Sequence, residues 1–446
     1  MNKISKKINK FAVLGAGTAG CITASFLKKY TNAEIEWIYD SGIPSQSVGE
    51  GSTLPFVEGL FKEVNLNYTT LKMMGGSIKK GIRKVGWKGM GDYLHEFLLS
   101  QHAIHFNSKM LRPLVSQRLK AKGVDIVDRK IASHSDIDAD YIIDCSGKPD
   151  SWEDFNDAEH IPVNATHIVQ SPIKGPLFDY TLCEARPFGW IFAIPLVERT
   201  SCGYMYNKDI TTLDEVKQDM KAWMTNMKLP YSEKQNNFEF KNYYRKQNYT
   251  DRVCYNGNAS FFLEPLEATS VGIIDFINRR LLDSINDGLS IESNNLWYKE
   301  KIRESKNMIM MHYFAGSKYD NKFWQFAKKK GKDSMAEMIK SSKFRDIVAT
   351  VLSQYEDPVF DEMLSAEYGQ WPPYSYWQNF RGLNIAKDVD NMIKKMGNQT
   401  RVSLTSTVTF ANSGDSALSP SSVGPPFGAL MDLPNQNNTR AQYKLN

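Results

Sequence analysis

Disulfide chemistry finds no support in this chain. Its five cysteines, Cys21, Cys145, Cys183, Cys202 and Cys254, are odd in number, scattered and mostly set among apolar residues, a usage that reads as buried free thiols in a reducing compartment. The seven histidines show no H-x-x-x-H or HExxH spacing, so neither residue type points to a metal site. No apolar run approaches the length that spans a bilayer. The basic residues 1–7 lead into a strand-like Phe11-Ala12-Val13-Leu14 and then glycines, without a signal-peptide core or cleavage site. Lys plus Arg exceed Asp plus Glu by 55 to 50, and a surplus of +5 over 446 residues is too dilute to mark a nucleic-acid partner. There is no internal repeat. The expectation is a cytoplasmic protein with no disulfide, metal, membrane or nucleic-acid partner; whether it forms a homo-oligomer is open.

The length is enough for two ordinary domains, or for one large dinucleotide-binding domain with a second lobe wrapped into it. Aromatic residues make up 12% of the chain. Most read as large core side chains, with a minority left to line a pocket for a flat aromatic substrate. Residues 11–40 read as one βαβ unit: a short apolar strand, the turn Gly15-Ala16-Gly17-Thr18-Ala19-Gly20, a helix through Cys21 to Lys29, and a second strand ending at Asp40. In such a unit the first glycine makes a tight turn and the second lets backbone amides approach a pyrophosphate. The third lets helix and strand pack closely, and the acid accepts from a ribose hydroxyl. The helix N-terminus supplies positive potential for the phosphates.

A second strand, Tyr141-Ile142-Ile143-Asp144-Cys145-Ser146-Gly147, resembles the element that returns beneath the cofactor in glutathione-reductase-type FAD folds. Residues 180–210 alternate like sheet strands beneath a flavin ring. From Thr269 to about Asn391 apolar residues recur at three- and four-residue steps, as in helices. The fold expected is α/β, mixed with α+β features: a glutathione-reductase-type FAD-binding fold with a Rossmann βαβ core, a sheet beneath the flavin and a helical substrate lobe. Domain limits are set at 1–270 for FAD binding and 271–395 for the lobe. The Ser/Asn/Pro-rich stretch 396–446 reads as an extended or disordered tail, or one that docks on a neighbouring subunit.

Five further segments stand out. Lys79 is followed by Ile82, Arg83 and, eight positions on, Trp87. Val48-Gly49-Glu50-Gly51-Ser52-Thr53 follows the ribose acid. Gly189-Trp190-Ile191-Phe192-Ala193-Ile194-Pro195 pairs two large aromatics on a strand, and Gly257-Asn258-Ala259 precedes Glu264-Pro265-Leu266-Glu267-Ala268-Thr269-Ser270-Val271. Met311-His312-Tyr313 with Phe323-Trp324, and Trp377-Gln378-Asn379-Phe380, lie in the helical text. Together these resemble the flavin-dependent halogenases, the family whose best-known members chlorinate tryptophan, across residues 11 to about 385. Two departures show: Phe192 replaces the second tryptophan of Trp-x-Trp-x-Ile-Pro, and Lys84 stands where an aromatic residue is usual. Tryptophan halogenases are also longer and carry lid insertions in the helical lobe.

The resemblance implies an enzyme that uses FADH2, O2 and a halide (chloride, bromide or iodide) to make hypohalous acid, which Lys79 guides to an electron-rich indole or phenol. Lys79 would be the catalytic amine, with Lys80 as its competitor, and Glu267 the catalytic carboxylate placed beside Lys79. FAD would be held by Gly15, Gly17, Thr18, Ala19, Gly20, Asp40, Val48, Gly49, Asn258 and Val271. Thr269 and Ser270 would hold the halide, and Trp190, Phe192, Ile194 and Pro195 would wall a tunnel. His312 is read as a satisfied structural histidine without chemistry. No second nucleotide site is found, so FADH2 is expected from a separate flavin reductase, with a small aromatic substrate as the other partner. Two rivals stay open: a flavin-dependent aromatic monooxygenase or reductase on the same fold, and a non-catalytic flavin-binding protein.

Overall fold

The computed structural model describes residues 2–5, 7–43, 50–52, 64–97, 102–173 and 175–405. The first sheet is parallel throughout, in the order Val253–Tyr255, Tyr141–Asp144, Lys10–Leu14, Glu34–Tyr39, Asp125–Asp128. Phe11 to Leu14 and all of Tyr141–Asp144 are buried, as strands covered on both faces must be. The helix Thr18–Tyr30 crosses from the first strand to the second, which completes the expected βαβ unit.

A second, seven-stranded sheet has the order Gln235–Glu239, Ala165–Ser171, Thr200–Tyr206, Gly189–Pro195, Thr181–Arg186, Gly81–Val85, Asp92–Glu96. Only the Thr181–Arg186 and Gly81–Val85 pair runs parallel. Its inner strands are buried along their whole length because two layers cover them. On one face Ile191, Ala193 and Tyr204 pack with Val216, Met220 and Trp223 of the helix Leu213–Asn226. On the other, Trp190, Phe192 and Ile194 join the main core with the helical lobe. The period of two in strands thus puts three of the four tunnel candidates, Trp190, Phe192 and Ile194, on one face. Phe192 lies over Gly203 of the next strand, where a Cβ would come within 2.2 Å of its ring.

Two small three-stranded sheets, Glu50–Gly51 with Ala103–Phe106 and Ser77–Lys79, and Phe155–Asp157 with Tyr243–Arg245 and Phe261–Phe262, join the layers. From Thr269 onward the described chain is mainly helical: Thr269–Asp287, Ile291–Ala315, Lys322–Met338, Ser342–Ser353, Phe360–Met363, Pro373–Leu383 and Ala386–Thr405. The last of these carries helix through residue 405, into the stretch expected to be tail; residues 406–446 lie outside the described ones. Among the described residues no helix is long and apolar enough to cross a membrane. None of their His, Cys, Asp and Glu side chains group as a metal site.

Candidate functional site

The nucleotide turn is built as its spacing requires. Gly15 takes φ +91°, and a Cβ there would meet the Cys145 carbonyl at 2.3 Å. A Cβ on Gly20 would meet the Gly15 carbonyl at 2.0 Å, so strand and helix touch at backbone distance. Gly17 caps the Thr18–Tyr30 helix without a side-chain hydrogen bond, no acid lies in the first turn, and the space beside Gly17 is open. Orphan amides with open space before them suit a diphosphate, and in this respect the residues fit FAD. The Gly257–Ala259 turn sits against Ala19 at the same helix start. Asn258 is exposed beside it, its carbonyl accepting from the Tyr243 hydroxyl at 2.7 Å. Val271 is buried in the first turn of Thr269–Asp287. Asp40 directly follows the second strand and accepts from its own turn at Gly42 N, 2.8 Å. Val48 and Gly49 lie outside the described residues.

A short bridge links this turn to Lys79. The Thr18 hydroxyl bonds both Glu50 carboxyl oxygens, at 3.0 and 2.8 Å, and burial raises the pKa of that carboxyl. Two residues on, the Ser52 carbonyl accepts from Lys79 Nζ at 3.1 Å. Lys79 is only 1% exposed; its competitor Lys80 is exposed and paired with Asp179 at 2.6 Å. Burial lowers the Lys79 pKa to about 8, partly offset by the Glu267 charge. His105 lies alongside: Ser77 donates to the Pro195 carbonyl and accepts from His105 Nδ1 at 3.1 Å, while Nε2 accepts from Thr181 at 2.8 Å. This ring is neutral, since burial holds its pKa well below 6.5. The Ser77 bond also ties Pro195, the end of the strand Gly189–Pro195, to the strand of Lys79.

Glu267 is buried in a loop of unusual backbone. It and Ala268 both take positive φ, 68° and 53°, which turns the chain sharply before the helix that starts at Thr269. The amine beside it is not the expected one. Lys84 Nζ bonds Glu267 Oε1 directly, and His95 Nδ1 donates to Oε2 at 2.8 Å. Lys84 also donates to His312 Nε2 at 2.8 Å, whose Nδ1–H is taken by the Met308 carbonyl at 3.0 Å. His312 is thus neutral, as burial and Lys84 both require, but it is part of the cluster rather than a bystander. Burial alone would raise the Glu267 pKa; Lys84 and His95 instead hold it well below the usual carboxylate range.

Three residues earlier, Glu264 has the opposite state. It is fully buried, takes both its side-chain bonds from the Tyr313 hydroxyl at 2.9 Å, and burial pushes its pKa up to about 8. Tyr313 in turn accepts from the Trp190 indole at 3.0 Å, so that indole is fixed from the helical lobe. Trp87 closes the back, edge-on to His312, Tyr313 and Trp324. Trp190 and Phe192 stand with ring centres 6.2 Å apart. At the helix start, the Thr269 hydroxyl is buried without a hydrogen-bond partner among the described residues, and Ser270 is half-buried beside it. A separate cavity of about 420 Å³, lined by Lys88, Phe314, Lys328 and Met392 among others, contains none of the expected site residues.

Sequence reasoning missed Lys84, His95, His312, Glu264 and Tyr313 as parts of one cluster. The signals were present: a lysine at an aromatic position, a histidine on the buried phase of the strand Asp92–Glu96, and a second acid three residues before Glu267.

Comparison with known proteins bears on the fold and the family. Solved structures share the fold: a flavin-dependent halogenase from Brevundimonas sp. BAL3 has a TM-score of 0.67 at 18% identity over 90% of this chain and 97% of that one. One from Xanthomonas campestris has a TM-score of 0.68 at 18% identity, over 90% and 96%. Among curated relatives, a tryptophan 6-halogenase of Streptomyces toxytricini is 23% identical over 309 residues, covering 62% of this chain and 56% of its own. A tryptophan 7-halogenase of Lentzea aerocolonigenes is 22% identical over 440 residues, covering 75% and 82%. The chain thus spans little more than half the length of some of these relatives. The family model for tryptophan halogenase matches residues 10–112 and 100–398, nearly all of the described chain, and the chain belongs to that family.

Proposed function

We propose that this protein is a flavin-dependent halogenase that places chlorine, bromine or iodine on an electron-rich aromatic ring of the indole or phenol type. Residues 1–270 form its flavin-binding part and 271–395 its substrate lobe. FAD is held at the Gly15–Gly20 turn with Asp40, Asn258 and Val271, and arrives reduced from a separate reductase. Reduced flavin bound there supplies, with O2 and halide, hypohalous acid. The halide sits at Thr269 and Ser270, where a helix N-terminus and an unpartnered buried hydroxyl offer it donors.

The chain's own residues then do four things. Trp190, Phe192, Ile194 and Pro195 keep water and substrate from mixing with the oxidant before it is aimed. Lys79 Nζ donates a hydrogen bond to the oxidant, or in its neutral form takes the halogen with loss of water, and directs it at a ring carbon. Glu267, held as an anion by Lys84 and His95, stabilises the cationic ring that follows. So strongly held a carboxylate is a poor base, and stabilisation is the role its surroundings favour.

The observation that supports this reading most is the bridge Thr18–Glu50–Gly51–Ser52–Lys79, which joins a diphosphate cradle to a buried amine. The test is to supply FAD, a flavin reductase, NADH and each halide to the protein with a panel of indoles and phenols, and to read products by mass spectrometry. Halide-dependent mass shifts are expected with the native chain and none with Lys79→Ala. Undiminished product in that variant, or an oxygen-atom shift indifferent to halide, would overturn the proposal, the second in favour of a monooxygenase.

A further inference from the structure

Two lysines are buried around one carboxylate, and they are not equivalent. Lys84 lies on the strand Gly81–Val85, cross-strand from Tyr93 and Cys183, and its ammonium is shared between Glu267 Oε1 and His312 Nε2. Glu267 Oε2 is taken by His95. Both carboxylate oxygens are therefore occupied. Lys79, on a different strand, has one hydrogen-bond acceptor among the described residues, the Ser52 carbonyl. Its other neighbours are Gly51, Thr181, neutral His105 and, with its ring centre 5.5 Å away, Phe97. It lies in the fields of Glu267, Lys84 and Cys183 without an ion pair to any of them.

We propose that Lys84 is a positioning residue: by saturating Glu267 together with His95, it keeps the carboxylate from pairing with Lys79 and leaves the Lys79 amine without a counter-ion.

The charge count explains why position 84 matters. With Lys84 present, one buried carboxylate serves two buried amines, and the nearer takes it. With an apolar side chain at 84, Glu267 keeps only His95, and an unmatched carboxylate at this depth is costly. Lys79 is then the amine that offsets it, and its charged form is favoured. The lowered proton affinity of Lys79 in the native chain fits the separated arrangement, and His312, Tyr93 and Tyr376, which also face Glu267, add no charge near neutral pH. The proposal rests on Lys79 being the working amine, but its test does not need turnover.

That test is a titration of Lys79 in full-length protein carrying 13C-labelled lysine, following the Cε signal that disappears in Lys79→Met. The native midpoint is expected near 8. Lys84→Met should raise it by about one unit or more, as an opposite charge gained at close range does, while Lys84→Arg should leave it within a few tenths. A midpoint unmoved by Lys84→Met, or moved equally by Lys84→Arg, overturns the proposal. Loosened packing would also raise the midpoint, by letting in water. The double variant Lys84→Met/Glu267→Gln separates the two causes and stands in if the single variant does not fold. Lacking the carboxylate, it should titrate at or below the native midpoint, and a rise there sinks the idea. Absence of halogenation would remove the proposed activity yet leave this result untouched.

Discussion

The proposed diphosphate cradle and the buried charge cluster are built by opposite means. The cradle comes from one continuous run, Gly15 to Gly20, and works through backbone: a positive φ, two contacts at which a Cβ cannot fit, and a helix start without a side-chain cap. The cluster comes from four separate stretches, around residues 79–84, 95, 264–267 and 312, and works through side chains. The cradle tolerates almost no change of shape, whereas the cluster is sensitive to charge. The largest effect should come from Lys79→Ala, which keeps flavin binding but should cost product formation at least about 100-fold, the low end for a positioned proton-transfer group, as read by chromatography of product per flavin oxidised. Retained flavin affinity with lost product would separate the two regions; loss of both would merge them.

Next is Gly20→Val. Its Cβ would be driven against the Gly15 carbonyl, and about 3 kcal/mol or more of destabilisation with loss of flavin binding is expected, measured by denaturant unfolding and flavin fluorescence. The charge cluster should survive a shape change of similar size better than the cradle does.

The two acids of the cluster sharpen the contrast within it. Glu264 has a folded pKa of about 8, raised from 4.5 by burial, so the stability it contributes is fully present below about pH 4.5 and is lost as pH rises through 8. Glu264→Gln removes that dependence. Its melting temperature relative to the native chain should therefore climb between pH 5 and pH 9, and a constant difference would show that Glu264 does not hold its proton. The smallest effect belongs to Thr269→Val. Removing one hydroxyl from the proposed halide contact should raise the halide KM about tenfold, the worth of one hydrogen bond to a charged partner, with kcat on saturating halide little changed.

The same contrast decides what the sequence made legible. Glycine spacing, terminal acid and strand period are local signals, and they located the βαβ unit and the strands of 180–210. Lys79 was legible as a buried amine only through its motif. The direct partners of the carboxylate were not: expectation placed Glu267 beside Lys79, and the fold gives its direct bonds to Lys84 and His95. Which of two amines reaches a carboxylate depends on cross-strand register and on a loop with two consecutive positive-φ residues, and neither Glu267 nor Ala268 is a glycine to announce it. His312 was set aside for a similar reason, because the bond that recruits it comes from a strand more than two hundred residues away.

The five thiols carry a practical corollary. All are buried and unpaired, burial pushes each pKa up, and Cys183 lies cross-strand from both Lys84 and Phe192. A thiol-specific dye should therefore stain the native protein hardly at all and react fully once the molecule opens. Staining rate then becomes a direct gauge of how often the interior is breached, and of how well a catalyst expected to generate a bleaching oxidant is shielded from its own product.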